Sequence, residues 1–182
     1  RLKILVVTQY YPPEGAAIPA EIARGLAGRG HEVRVLTGFP NYPSGKVFPG
    51  YRQRWRSRER DGAVDVLRVP LYADHSDNPV RRMLNYLTFA VSAASAVGYS
   101  RGVDVIYIYA TQMTPALGPW LWRKFRGAPY VLHVQDLWPD SIIESSLVSD
   151  SRAGKVIPAV LDPWLRRVYS GAAAVVGIAP TM

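Results

Sequence analysis

Leu2-Lys3-Ile4-Leu5-Val6-Val7, then Ile18-Pro19-Ala20-Glu21-Ile22-Ala23-Arg24-Gly25-Leu26, then Val33-Arg34-Val35-Leu36-Thr37: these stretches decide the fold. The first runs almost unbroken through Ile, Leu and Val, as a strand covered on both faces requires. In the second, Pro19 stands where a first helical residue is expected. Ile18, Ile22 and Leu26 recur every fourth residue along one face. Gly30 follows where a left-handed C-terminal cap belongs. The third stretch is again a strand. Strand, helix, strand in this compass is a βαβ unit, and two strands joined by a crossover helix lie parallel.

The alternation continues outward from this unit. Val64–Val69, Asp104–Tyr109, Tyr130–Val134 and Ala174–Ile178 read as further strands, making six. Asn78–Ser100, Pro115–Phe125 and Asp162–Ser170 read as helices, with Thr114 placed to cap the second. Residues 38–63, rich in Gly, Pro, Tyr and Arg without periodicity, read as a long functional loop. The expected fold is α/β: a Rossmann-like, doubly wound, mainly parallel sheet. Its length suits one domain spanning 1–182.

Hydrophobic residues make up 48% of the chain, enough for a sizeable core. Cysteine is absent, which removes disulfides, thiolate metal sites and cysteine nucleophiles. His31, His75 and His133 are widely spaced and no HExxH pair occurs, so no metal is expected. The net charge of +8 gathers at Arg52–Arg60, Arg81-Arg82, Arg123–Arg126 and Arg166-Arg167. Such a charge is either a solvated basic face or an attraction to phosphate, in a nucleotide or on an anionic membrane. No nucleic-acid reader motif accompanies it, so no nucleic acid is expected. Met83–Ser100 carries no charge, but Asn85, Thr88, Ser92, Ser95 and Ser100 make it a core helix rather than a membrane span. A helix lying on a membrane surface stays open. The N-terminus reads as a strand and not as a secretory leader, which points to the cytoplasm.

In doubly wound sheets, ligands sit beyond the carboxyl ends of the strands. After the first strand, Gly15-Ala16-Ala17 leaves backbone N–H groups open just before a helix, an arrangement suited to a phosphate or simply to close packing. GxGxxG is absent there, which argues against a nicotinamide or flavin. Gly38 to Lys46 has the wrong spacing for a Walker A loop, and Val47 stands in the Ser/Thr place. After the second strand, Asn41 and Tyr42 lie in a proline-stiffened loop and are candidate substrate contacts. After the fourth, Thr111 and Gln112 would line the same crevice. After the fifth come Gln135, Asp136 and Trp138. Asp136 suits a sugar hydroxyl or a proton-accepting role, with helix capping as its structural alternative. Trp138 suits stacking on a sugar or filling a groove. His133, mid-strand, reads as a satisfied core histidine.

Lys3-Ile4-Leu5-Val6-Val7 through Pro12-Pro13-Glu14-Gly15, with Leu26-Ala27-Gly28-Arg29-Gly30-His31-Glu32-Val33, resembles the N-terminal domain of family 4 glycosyltransferases. Pro40-Asn41-Tyr42-Pro43-Ser44-Gly45-Lys46 and Gln135-Asp136-Leu137-Trp138-Pro139-Asp140-Ser141 resemble the branch that builds bacterial capsule, O-antigen and colanic acid. The resemblance implies the N-terminal half of a GT-B fold, with the active site in a cleft between two Rossmann-like domains. It implies retention of anomeric configuration and no metal. It also implies a nucleotide-sugar donor gripped chiefly by a C-terminal domain absent from this chain, and a saccharide or lipid-linked acceptor held by this half. Residues 1–182 alone are then expected to be inactive. The whole enzyme would act as a hexosyltransferase in the cytoplasm, at the inner face of the plasma membrane through peripheral contact with anionic lipid. Two positions depart from the pattern. Ala16 replaces the second glycine of the first loop. Gln135 replaces a histidine and cannot transfer a proton, which leaves Gln135 and Asp136 as the catalytic candidates, Gln135 by a hydrogen bond to the donor sugar. A GT-B nucleotide-sugar 2-epimerase, or a phosphate- or partner-binding module without activity, are the alternatives.

Overall fold

The computed structural model describes residues 1–125, 127–136 and 152–178. Among these residues seven strands form one sheet: β1 (Lys3–Val7), β2 (Glu32–Gly38), β3 (Ser57–Asp61), β4 (Val64–Val69), β5 (Val105–Ala110), β6 (Tyr130–Val134) and β7 (Ala174–Gly177). Their order is β3-β4-β2-β1-β5-β6-β7. Every pairing is parallel except β3 with β4. The helices among the described residues are α1 (Ala17–Gly28), α2 (Pro79–Ala94), α3 (Leu117–Lys124) and α4 (Arg152–Gly171). From β1 the chain winds one way through β2 and β4, then the other way through β5, β6 and β7. This is the expected doubly wound sheet, and its switch point falls between β1 and β5.

Both faces of the sheet are covered, which explains its near-continuous apolar strands. Leu5, Val7, Leu36, Ile106, Ile108 and Leu132 face a core closed by Phe89 and Ala93 of α2, Trp122 of α3 and Val168 of α4. Ile4, Val6, Val33, Val35 and Val66 face the other way, onto Ala20 and Ala23 of α1. The alternation of Ile4 and Val6 against Leu5 and Val7 is the period-2 pleat at work.

Five local features differ from the sequence expectation. Strand β3 lies inside the stretch expected to be loop. Its residues Ser57-Arg58-Glu59-Arg60-Asp61 lack the β-branched and aromatic types of a buried strand, because β3 is a charged sheet edge. Helix α1 starts at Ala17 and buries Pro19, Ala20 and Ala23, leaving Ile18 outside; small residues let it sit close on the sheet. Helix α2 stops at Ala94, where Ser95 Oγ turns back to the Ser92 carbonyl (2.7 Å), and a separate 3-10 turn covers Val97–Ser100. Helix α4 starts at Arg152, well before the Asp162 start expected from the sequence, and runs through Pro163. Thr114 does not cap α3: it opens a 3-10 turn, and its hydroxyl is buried without a partner.

Candidate functional site

The loops that leave the carboxyl ends of β1, β2, β4, β5 and β6 converge on one pocket of about 410 Å³. Its walls are Tyr10, Gly15 and Ala16 after β1, Tyr42 after β2, His75 after β4, Thr111 and Gln112 after β5, and Asp136 after β6. Arg82 and Tyr86, one turn apart on α2, close the remaining side.

Beneath the pocket, two buried groups hold the first two loops. Glu14 is one. Its carboxylate accepts the backbone N–H groups of Tyr11 (3.2 Å), Asn41 (2.7 Å) and Tyr42 (2.9 Å). Burial pushes its pKa up, while those N–H groups and Arg68 pull it the other way. One side chain thus ties the loop after β1 to the loop after β2. Arg68 is the other, 0% exposed at its side chain. Its Nε donates to Glu59 Oε1 (2.7 Å) and its Nη1 to the Gly38 carbonyl (2.9 Å). Nη2 donates to the Pro12 carbonyl, and the guanidinium stacks 5.1 Å from the Tyr51 ring centre.

A buried series of amides anchors the rest. Thr111 Oγ1 donates to Gln112 Oε1, and Gln112 Nε2 donates to Gln9 Oε1. Gln9 Nε2 donates to Asn85 Oδ1 (2.6 Å), and Asn85 Nδ2 to the Tyr72 carbonyl (2.7 Å). These bonds fasten α2 to the ends of β1 and β5. They also place Arg82 and Tyr86 at the pocket, since Asn85 lies between them on the helix.

The pocket itself is aromatic on one side. Tyr42 and His75 meet edge to face with ring centres 5.1 Å apart, and Tyr10 lies 5.7 Å from Tyr42 and 5.9 Å from His75. Burial pushes the Tyr10 pKa far up, so the phenol keeps its proton. Burial and then the Arg82 charge lower the pKa of His75, so the imidazole is neutral at neutral pH. Its Nε2 is buried without a hydrogen-bond partner. Across the pocket, Ala16 precedes α1 with no side-chain cap, so the first N–H groups of the helix are open to a ligand. Among the described residues, no carboxylate pairs with Arg82. The site therefore presents a cation, a helix N-terminus, a carboxylate (Asp136) and neutral hydrogen-bonding aromatics.

Gly15, Ala16, Tyr42, Thr111, Gln112 and Asp136 all stand at this wall. Ala17 is exposed at the start of α1, beside the wall and not in it. Asn41 is placed differently from expectation. It is 1% exposed, and its amide nitrogen is committed to the Phe39 carbonyl at 2.9 Å, because Glu14 pulls its backbone inward. Gln135 is also turned away from the pocket, with its amide nitrogen 2.6 Å from His133 Nε2. His133 is satisfied on its other side by Tyr107 Oη at 2.6 Å, as expected, but it is half-buried on the sheet face and not in the core. Trp138 lies outside the described residues. Sequence reasoning missed His75, Arg82 and Tyr86. The i, i+4 spacing of Arg82 and Tyr86 was a signal for one shared helix face; nothing local marked His75.

A doubly wound sheet with an open helix N-terminus and a polar, aromatic pocket at its switch point defines a small-ligand-binding α/β domain. The chain belongs to the family described as the glycosyl transferase 4-like domain, whose model matches residues 15–182. It is 36% identical over 160 residues to the protein named "Putative colanic acid biosynthesis glycosyl transferase WcaI" of Escherichia coli K12. That match covers 85% of this chain and 39% of the relative, so the chain spans about two fifths of the relative's length. The fold is also similar to that of a sucrose-phosphate synthase from Thermosynechococcus elongatus, with a TM-score of 0.55 at 17% identity. There 98% of this chain aligns with 48% of the synthase.

Proposed function

We propose that this chain is the acceptor-side domain of a retaining glycosyltransferase. The complete enzyme transfers a hexosyl group from a nucleotide-sugar to a lipid-linked saccharide in bacterial surface polysaccharide synthesis, at the cytoplasmic face of the membrane. The nucleotide-sugar is gripped chiefly by a further domain outside these residues, and residues 1–182 alone do not turn over. The observation that carries this reading is the pocket: five strand ends and α2 bring an open helix N-terminus, the Arg82 cation and the Asp136 carboxylate around one space.

Each group has a role that follows from its chemistry. The N–H groups at Gly15, Ala16 and Ala17 face the donor diphosphate, where the helix dipole favours negative charge. Arg82 supplies a second positive group, so the diphosphate charge is answered without a metal. Asp136 accepts a hydroxyl of the transferred sugar and orients it. Tyr42 and Tyr86 present ring faces and hydroxyls to the acceptor saccharide, and neutral His75 backs the Tyr42 ring edge to face. Gln135 acts through His133 as a positioning residue and not by contact.

The test is a donor–acceptor screen on the complete protein. The expected products are an elongated saccharide and free nucleoside diphosphate. Asp136→Ala is expected to lower kcat by about a hundredfold or more, the usual scale for a group that acts on the reacting sugar. Formation of an epimerised sugar-nucleotide, or an unchanged rate in Asp136→Ala, would refute the assignment.

A further inference from the structure

The sheet face that packs on α1 is apolar through β2 and β1 and turns polar at β5 and β6. Val33, Val35, Ile4 and Val6 line its apolar part. One strand over, Tyr107 stands beside Val6, and on β6 His133 stands beside Tyr109. Strands inside a parallel sheet normally carry Val, Ile or Leu on both faces. The opposite face keeps to that rule at the same two strands, with Ile106, Ile108, Leu132 and Val134 in the core. The polar side chains are therefore confined to one face. They form a line that runs from Tyr107 through His133 to Gln135, the residue before Asp136.

The two bonds along this line settle each other's polarity. An amide nitrogen only donates, so Gln135 Nε2, 2.6 Å from His133 Nε2, makes that ring nitrogen an acceptor. A neutral imidazole carries its one proton on the other nitrogen, so His133 Nδ1 donates to Tyr107 Oη at 2.6 Å. Burial lowers the His133 pKa and keeps the ring neutral at neutral pH. Two rings fix its plane: Tyr109 and Tyr107 meet it edge to face, with centres 5.2 Å and 5.8 Å away. The main chain of Gln135 is held too, its N–H on the Ala110 carbonyl at 2.9 Å. Gln135 is thus pinned by side chain and backbone together, and the next residue along the chain stands at the pocket wall.

We infer that Tyr107 and His133 are positioning residues for the transfer: through Gln135 they fix the direction in which the chain leaves β6, and so the place of the Asp136 carboxylate. The inference rests on the role of Asp136 proposed above and names what holds it. Neither Tyr107 nor His133 lines the pocket, so their effect falls on orientation and not on substrate affinity. A proton on His133 Nε2 removes the acceptor that Gln135 uses, and the amide must then turn over. Among the described residues, the groups that face the ring are Tyr107 and Tyr109 of β5, Gln135 on its own strand and apolar Val176 of β7. Burial raises the pKa of both phenols, so they stay neutral; the charge close by is Asp136, which adds to the rise at Tyr109.

The test uses the complete protein, with histidine nitrogen NMR beside the donor–acceptor assay. His133 is expected to be the Nδ1–H tautomer, and Tyr107→Phe, which removes its acceptor, is expected to shift it toward Nε2–H. Tyr107→Phe is expected to lower kcat about tenfold with KM unchanged, in protein whose circular dichroism matches the wild type. His133→Gln has an amide that can accept from Gln135 and donate to Tyr107. It is expected to keep most of the wild-type rate and to lose the fall in kcat that the wild type shows as pH drops below 6.5. An Nε2–H tautomer in the wild type, a wild-type kcat in Tyr107→Phe, or an unaltered acid limb in His133→Gln would overturn the inference. Asp136→Ala separates it from the functional reading. A slow Asp136→Ala beside a wild-type Tyr107→Phe sinks the positioning role and spares the function. A wild-type rate in Asp136→Ala sinks both, whatever the tautomer.

Discussion

Replacing Arg68 with methionine tests whether one buried cation holds the floor of the pocket. The methionine fills much of the same volume, so packing loss is small. What disappears is the set of charge-assisted bonds to Glu59, the Gly38 carbonyl and the Pro12 carbonyl. Glu59 is a third exposed at its side chain and regains water, so its share is modest. The two carbonyls lose a charged donor, at about 1–2 kcal/mol each. Adding loss of the partly hydrated ion pair gives about 3 kcal/mol in all. For a chain of this length that is a fall of about 6–12 °C in Tm. Thermal unfolding followed by circular dichroism measures it. Glu59→Gln, which leaves both carbonyl bonds in place, is expected to cost less than half as much. A loss of under about 3 °C in Arg68→Met, or an equal loss in Glu59→Gln, would show that the carbonyl bonds do not hold these loops.

Further outcomes follow from neighbouring contacts. Gln9→Leu leaves Asn85 Oδ1 and Gln112 Nε2 buried without partners and is expected to cost about 2–4 kcal/mol in a denaturant titration. Gly45→Ala is expected to cost about 1–3 kcal/mol. Gly45 has φ +70°, and an added Cβ would stand 2.6 Å from the His75 backbone nitrogen. The folded-state pKa of His75 is lowered, so its contribution to stability is present above the unfolded value of 6.5 and is lost as pH falls below it. His75→Gln is therefore expected to flatten the decline in Tm on acidification; an unchanged slope would remove His75 from that role. Arg82→Gln, at an exposed position, is expected to leave Tm unchanged and to raise KM for a phosphate-bearing substrate in steady-state kinetics.

The sheet was legible because its strands are buried on both faces and leave long runs of Ile, Leu and Val. Strand β3 was hidden by the same logic: an edge strand needs charge, and Arg58, Glu59 and Arg60 look like loop. The two-residue Gly62-Ala63 turn, with Gly62 at φ +58°, was the overlooked hairpin signal. At the pocket, chain order along the strand ends brings Gly15, Tyr42, Thr111 and Asp136 to one wall. It misplaced the side chain of Asn41, because the inward pull comes from Glu14, distant in sequence. His75 and Arg82 reach the pocket only through tertiary contacts, which no local pattern records.

The buried amide series has a direction, and Tyr72 sets it. A backbone carbonyl only accepts, so Asn85 must turn its nitrogen toward Tyr72 and its oxygen toward Gln9. Gln9 must then offer its nitrogen to Asn85 and its oxygen to Gln112, which in turn leaves the Gln112 oxygen facing Thr111. The hydroxyl proton of Thr111 is thereby spent inside the protein. What the pocket meets at this position is a bare oxygen lone pair. It welcomes the O–H of a sugar and repels the oxygens of a phosphate, so a carbonyl seven residues upstream of Pro79 helps decide which end of a bound molecule settles against Thr111.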